Sequence, residues 1–332
     1  MGRRIRYRRY VGRRKSERGR SRIIILCVLI FTALVVYLSV MLGLDLREKA
    51  EKVRAESEFL STVETTPTGS LQPPVGISIS KERVNAPFVS VSDVKNLELP
   101  ENTGTLSAVL KSKTGQLFYR SPAVEAISGP QDQDLPTPET VMSALSKKDH
   151  RVSVVFHRES TEGMEDIAAQ AILDMEVLQM CEIAKAGASE ILLMGFYEDE
   201  NEDEDADADG MTFLASAAEK IRAANPQTLV GAVLPLSSAS NADLFGDCCR
   251  SLAEFFDVIA LDLTTLDGSD ESVQKLHALV DTLQISFTRY NVRCIFADGT
   301  ENVDRLTAVL DSALLSNYQL TSETGLKKET QS

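Results

Sequence analysis

The sequence predicts an α/β protein: a TIM-barrel-like (β/α) domain, its first unit short enough to leave the barrel incomplete, preceded by one transmembrane helix. Three observations lead there. Charge is split along the chain: residues 1–22 carry +10 while the whole chain carries −14, so the remainder holds −24. An uncharged apolar run, 23–44, follows the basic segment directly. From about residue 86, short runs rich in Val, Ile and Leu alternate with segments of helical periodicity, the pattern of a parallel sheet covered by helices.

The N-terminal part is read first. Eleven Arg or Lys residues, from Arg3 to Arg22, stand against one acid, Glu17. The run 23–44 matches the ~20 apolar residues that span a bilayer core. It is longer than the apolar region of a cleavable signal peptide and shows no Ala-x-Ala site. An uncleaved anchor is expected, with the basic flank cytoplasmic and the C-terminal domain extracytoplasmic at the cell membrane. The expected lipid partner acts through 23–44, and anionic headgroups attract the basic flank. Topology accounts for the Arg cluster, so no nucleic-acid partner is expected. Residues 45–85 form a stalk and linker: 45–60 is charged and helix-favouring, and the next stretch is rich in Thr, Ser, Pro and Gly.

The domain is expected over 86–320, with a polar, disordered tail at 321–332. Strands are predicted at 88–94, 105–111, 152–157, 191–196, 229–234, 258–263 and 292–297. Helices are predicted at 139–146, 165–186, 211–224, 243–255, 272–290 and 302–315. About 235 residues suits one barrel, for which ~250 is typical. A doubly wound open sheet is the alternative, although the Gly-x-Gly-x-x-Gly fingerprint is absent from the sequence. Only 95–104 separates the first two predicted strands, too little for a crossover with a full helix. Either the first helix has decayed or the first strand lies outside the barrel.

Several segments, in order, resemble a bacterial family of TIM-barrel proteins grouped with the glycoside hydrolases. In 105–126 (TLSAVLKSKTGQLFYRSPAVEA), Lys111, Gly115, Tyr119 and Ser121 match the family pattern, and Ser112 stands where the family has an acid. The segment 181–196 (CEIAKAGASEILLMGF) is similar in its helix, Gly and strand. So are 255–264 (FFDVIALDLT) and 290–296 (YNVRCIF). The resemblance covers roughly 105–320 and implies a barrel that handles carbohydrate. The chain departs from it where chemistry would lie. Leu192 to Tyr197 has neither the Asp nor the Arg of the family's fourth strand, and Asp262-Leu263-Thr264-Thr265 replaces a Met-x-Tyr-Pro-Ser element.

Glycoside hydrolysis needs two carboxylates at the C-terminal ends of barrel strands. Glu159, Asp262 and Asp298 are the catalytic candidates, beside His157, Arg158, Glu198 and Asp199 at other strand ends; each acid could equally cap the helix that follows. His157 could be an acid, a base, a ligand or a hydrogen-bonded structural residue. The run 198–209 (EDENEDEDADAD) carries nine acids, and Asp205, Asp207 and Asp209 before Gly210 match the opening of a calcium loop. Ca2+ there is the one metal considered, although position twelve would be Ser216 rather than the bidentate Glu of a calcium loop. No organic cofactor is expected: Walker, Rossmann and Gly-x-Ser-x-Gly motifs are missing from the sequence. Cys181 and Cys294 fall in apolar segments and read as buried thiols. The expectation is a non-catalytic binding or scaffold domain at the envelope. A diverged glycoside hydrolase and a cation-responsive surface protein are the alternatives, with carbohydrate a possible partner of the first two.

Overall fold

The computed structural model describes residues 78–323, except 93, 95–96, 98, 102–103, 160–165, 198–203 and 300–302. The basic segment 1–22, the apolar run 23–44, most of the linker and nearly all of the tail lie outside the described residues. Among the described residues no helix is long and apolar enough to cross a membrane.

Eight strands form one parallel sheet: β1 (Asn85–Ala86), β2 (Thr105–Lys111), β3 (Arg151–His157), β4 (Glu190–Met194), β5 (Leu229–Leu234), β6 (Val258–Asp262), β7 (Arg293–Ala297) and β8 (Tyr318–Thr321). Pairing runs from β2 through to β8, and β8 then pairs with β1. The chain after β1 closes the ring, because Phe88 bridges Ser107 of β2 in parallel. Two hydrogen bonds fix that seam, Val89 N to Ser107 O at 2.8 Å and Ser107 N to Pro87 O at 2.9 Å.

The barrel is therefore complete, which corrects the expectation of an incomplete one. Its first strand is two residues long and begins at Asn85 rather than 88, so β8 and β2 each grip a different part of one short segment. Among the described residues no α-helix separates β1 from β2. The eighth strand was absent from the sequence reading. Its YQLT falls after the predicted helix 302–315 and runs into the start of the predicted polar tail, yet Gln319 and Thr321 are fully buried.

Seven α-helices are described: α1 (Pro122–Ser128), α2 (Pro138–Leu145), α3 (Asp166–Lys185), α4 (Glu204–Ala224), α5 (Ala242–Leu252), α6 (Asp270–Tyr290) and α7 (Val303–Ser312). Their starts are legible in the chemistry. Ser121, Thr137, Asn241 and Ser269 accept hydrogen bonds from the first free N–H groups of α1, α2, α5 and α6. Pro follows at once in α1 and α2, where its missing N–H costs nothing. Helix α4 begins at Glu204, seven residues before the predicted start at 211, so the end of the acidic run is helical.

Alternation along each strand divides the core in two. Leu106, Val154, Phe156, Ile191 and Leu193 face the helices and pack on residues such as Val177, Met180, Ile221 and Phe287. Phe88, Val109, Val155, Leu192, Val233, Val258, Ala260 and Ile295 fill the barrel itself. Gly231 sits among them: a Cβ there would come within 2.4 Å of Leu192 Cδ2, so the bare backbone makes room for that side chain. Below this apolar plug lies a buried polar layer. Arg293 forms an ion pair with Glu190, with its Nη2 3.0 Å from Oε2. Gln319 accepts from Arg293 Nη1 at 3.0 Å and donates to Ser107 at 2.9 Å, and Ser153 donates to Glu190 at 2.5 Å.

The last residues of the predicted linker belong to the barrel floor. Ser80 N donates to Asp257 O, Val84 N donates to Asn317 Oδ1, and Asn291 Nδ2 donates to the carbonyls of Ser80 and Glu82. All of these partners stand before the N-terminal ends of β6, β7 and β8, so this end of the barrel is closed by a strap of the protein's own chain.

Candidate functional site

Function in this architecture collects at the C-terminal ends of the strands. Side chains two residues beyond the inward-facing plug point inward again. They are His157 on β3, Met194 on β4, Asp262 on β6, Ala297 on β7 and Thr321 on β8. Together they ring the mouth above the floor made by Val155, Leu192, Ala260 and Ile295.

Two members of that ring stand out. His157 is 4% exposed and Thr321 is fully buried. Among the described residues, His157 Nε2 and Thr321 Oγ1 have no hydrogen-bond partner. The imidazole also interacts with the backbone of Ser322 just beyond β8. Burial pushes the His157 pKa down to about 4, with Lys113 and Lys111 acting in the same direction and Glu323 opposing. The ring is thus neutral near pH 7. A buried acceptor or hydroxyl left without a partner costs ~1–3 kcal/mol. Ser322 and Glu323 are tied down over this side of the mouth: Lys113 N donates to Glu323 O at 3.1 Å, and Lys113 Nζ stands 3.3 Å from Glu323 Oε1.

Of the three predicted carboxylates, Asp262 and Asp298 end neighbouring strands and Glu159 stands apart from them. Asp262 is half-buried, and its Oδ1 accepts from Thr264 N at 2.9 Å and Thr264 Oγ1 at 2.7 Å, closing the turn that ends β6. Asp298 follows β7, the strand next to β6, and its N–H donates to Thr321 O at 2.6 Å. Glu159 follows β3. In the closed ring β3 is separated from β6 by two strands and stands opposite β7.

Glu159 belongs to a different cluster. The register shifts between Val109 and Lys111, which turns Lys111 outward beside Phe156 in the helix-facing layer. There Lys111 Nζ pairs with Glu176 of α3, lies 3.3 Å from Glu159 Oε2, and sits 5.6 Å from the Phe156 ring centroid. Glu176 Oε1 also accepts from Glu159 N at 2.8 Å. Burial pushes the Glu176 carboxyl up, against the pull of Lys111. Gly115, at φ 81°, lets its loop cross Glu159: a Cβ there would fall 2.6 Å from the carboxylate. The matching Lys111 and Gly115 of the family pattern thus hold a loop against α3. Tyr119 and Ser121 do the same nearly two turns further along, both hydrogen-bonding Glu182 of α3.

Asp205, Asp207 and Asp209 lie in the first turns of α4. That backbone is helical from Glu204, and the side chains of these three residues lie outside the described ones. Among the described residues no cluster of His, Cys, Asp or Glu could hold a metal ion. Burial pushes the thiols of Cys181 to about 11 and of Cys249 and Cys294 to about 12, so all three are protonated near neutral pH. Thr321 is the site residue that sequence reasoning missed. The one available signal was the alternation of Gln319 and Thr321 with Tyr318 and Leu320, four residues long.

No protein-family model matches the chain, and no curated protein does. Solved structures show distant likeness. One is Ega3 of Aspergillus fumigatus in complex with galactosamine, at 13% identity and a TM-score of 0.41, covering 80% of this chain and 98% of that one. A second is a mannotriose complex of Thermomonospora fusca β-mannanase, at 15% and 0.43, covering 68% and 72%. A third is a GH18 chitinase from Pseudoalteromonas aurantia, at 11% and 0.43, covering 72% and 94%. What those proteins bind belongs to them, and the barrel described above rests on this chain's own strand pairing.

Proposed function

We propose that the protein is a membrane-anchored barrel with an extracytoplasmic, non-catalytic binding role. The observation that supports the second half is the commitment of two strand-end acids. Asp262 closes its own turn through Thr264, and Glu159 is held by Lys111 on the helix side of the wall. Two-carboxylate hydrolysis places both groups ~5–10 Å apart on either side of one bond. Acids on strands three positions apart around a packed barrel, each serving a neighbouring loop, suit caps and clasps better. The anchoring half rests on sequence: the uncharged run 23–44 behind eleven basic residues.

The test uses the full-length protein in detergent against a panel of envelope and plant polysaccharides. No release of reducing ends is expected from wild type. Release that Asp262→Asn abolishes would establish the alternative, a diverged glycoside hydrolase. For the anchor, protease added outside sealed cells is expected to remove the barrel; its protection would reverse the topology.

A further inference from the structure

The floor of the barrel carries an apolar side chain that neither burial nor backbone preference asks for. Leu314 lies just past α7 and is 73% exposed. Its φ of 60° is left-handed, and Leu315 N donates to Leu310 O at 2.8 Å. Leu314 thus holds the helix-ending position that Gly or Asn fills with less strain. Hydrogen bonds join this loop to its neighbours. Asn317 Nδ2 donates to Asn291 O at 2.8 Å, Asn291 Nδ2 donates to the carbonyls of Ser80 and Glu82, and Lys81 Nζ donates to Arg289 O at 3.2 Å. The exposed Lys81, Arg83 and Arg289 therefore share the floor with Leu314. Ile285, 82% exposed, stands one helical turn before Arg289 on the same face of α6. The acids on these same segments are engaged: Glu82 pairs with Arg151, and Asp311 accepts from Ser316. This basic patch belongs to a chain that carries −24 beyond residue 22.

We infer that this face of the floor rests on an anionic lipid bilayer, with Leu314 entering the headgroup boundary and Lys81, Arg83 and Arg289 meeting the headgroups. The inference rests on the anchoring half of the reading above and adds an orientation to it. Only residues 45–77 separate the apolar run from the strap, so the floor is the part of the barrel tied nearest the bilayer. An apolar group beside a basic patch is the combination that holds a protein surface at a membrane, where either alone binds weakly. A basic residue in the last turn of a helix also suits the helix dipole, which accounts for Arg289 by itself. It does not account for Leu314 or Ile285, nor for Lys81 and Arg83 on a strap outside any described helix. With the floor down, the mouth at the opposite ends of the strands is turned away from the bilayer.

The experiment reconstitutes the full-length protein in vesicles of equimolar phosphatidylglycerol and phosphatidylcholine, with photoreactive benzoylphenylalanine placed at 314. The control places it at 244, because Leu244 is a second exposed apolar residue, in the first turn of α5 at the mouth end. Irradiation is expected to attach phospholipid at 314 and not at 244. Vesicles of phosphatidylcholine alone, or Arg289→Glu in the mixed vesicles, are expected to lower the yield at 314 by at least about fivefold, the factor one basic residue contributes at an anionic surface. Equal labelling at both positions, a yield indifferent to lipid charge, or no lipid at 314 would overturn the inference. Leu314→Asn, which relaxes the left-handed backbone, is expected to melt in detergent no lower than wild type. A lower melting temperature would mark Leu314 as a packing residue and overturn the inference as well. Alkaline extraction of the vesicles tests the anchor separately. Retention without lipid at 314 sinks the floor contact alone, and release removes the anchor and this inference with it.

Discussion

Replacing His157 with Leu removes one buried titrating group and exposes its cost as a pH dependence. In the folded protein burial holds the imidazole pKa at about 4, whereas the ordinary value is 6.5. The unfolded chain therefore binds a proton between those two values and the folded chain does not. Stability contributed by the neutral ring is fully present above pH ~6.5 and is lost as pH falls toward 4. A gap of about 2.5 pKa units corresponds to roughly 3 kcal/mol, most of which is lost by pH 4.5. His157→Leu cannot titrate, so it should stand near wild type at pH 7.5 and exceed it by about 2–3 kcal/mol at pH 4.5. Glu176, whose carboxyl is pushed up by burial, acts with the opposite sign but is present in both proteins and cancels in the difference. Urea unfolding of both proteins at pH 7.5, 6.0 and 4.5 reads the effect. A difference that stays flat across that range would show that His157 titrates normally and that the mouth is open to water.

Other interior positions give independent readings. Arg293→Met strands Glu190 in the barrel interior without its partner, and a loss of about 3–5 kcal/mol is expected by denaturant unfolding. Adding Glu190→Leu to that change should restore more than half of it, because the buried charge is then gone. Gly231→Ala drives a methyl against Leu192 and Val258, with an expected loss of about 1–3 kcal/mol. Gly115→Ala combines a positive φ with a collision at the Glu159 carboxylate and should cost about 1–3 kcal/mol, visible as a lower melting temperature that Glu159→Ala partly rescues.

The barrel wall was legible wherever a strand was long and apolar on both faces. Residues 152–157 and 229–234 read as buried strands because Val and Phe in the first, and Leu, Val and Ala in the second, fill most positions on both sides, and they fold as β3 and β5. The ends of the barrel were not legible for the same reason inverted. β1 has two residues and β8 has four, and β8 carries Gln and Thr because it faces the polar layer and the mouth. Closure depends on Phe88 meeting Ser107, a contact that no local pattern encodes. At the site, His157 was visible as a strand-end residue, but its orphaned Nε2 depends on the inward register of β3. The fate of Asp262 and Glu159 depended on neighbours: Thr264 two residues away, and Lys111 turned outward by a register shift. The acidic run reads as a loop by charge, yet its end is helical from Glu204, in the first turn where acids suit the helix dipole.

The central claim is that this barrel keeps its strand-end acids for structure rather than chemistry. The most direct measurement sets melting temperature beside polysaccharide turnover for wild type, Asp262→Asn and Glu159→Gln. The account predicts no turnover in any of the three and a lower melting temperature in each variant, because the Thr264 turn and the Lys111 clasp are weakened. Turnover in wild type that either substitution abolishes, with the melting temperature unchanged, would contradict it.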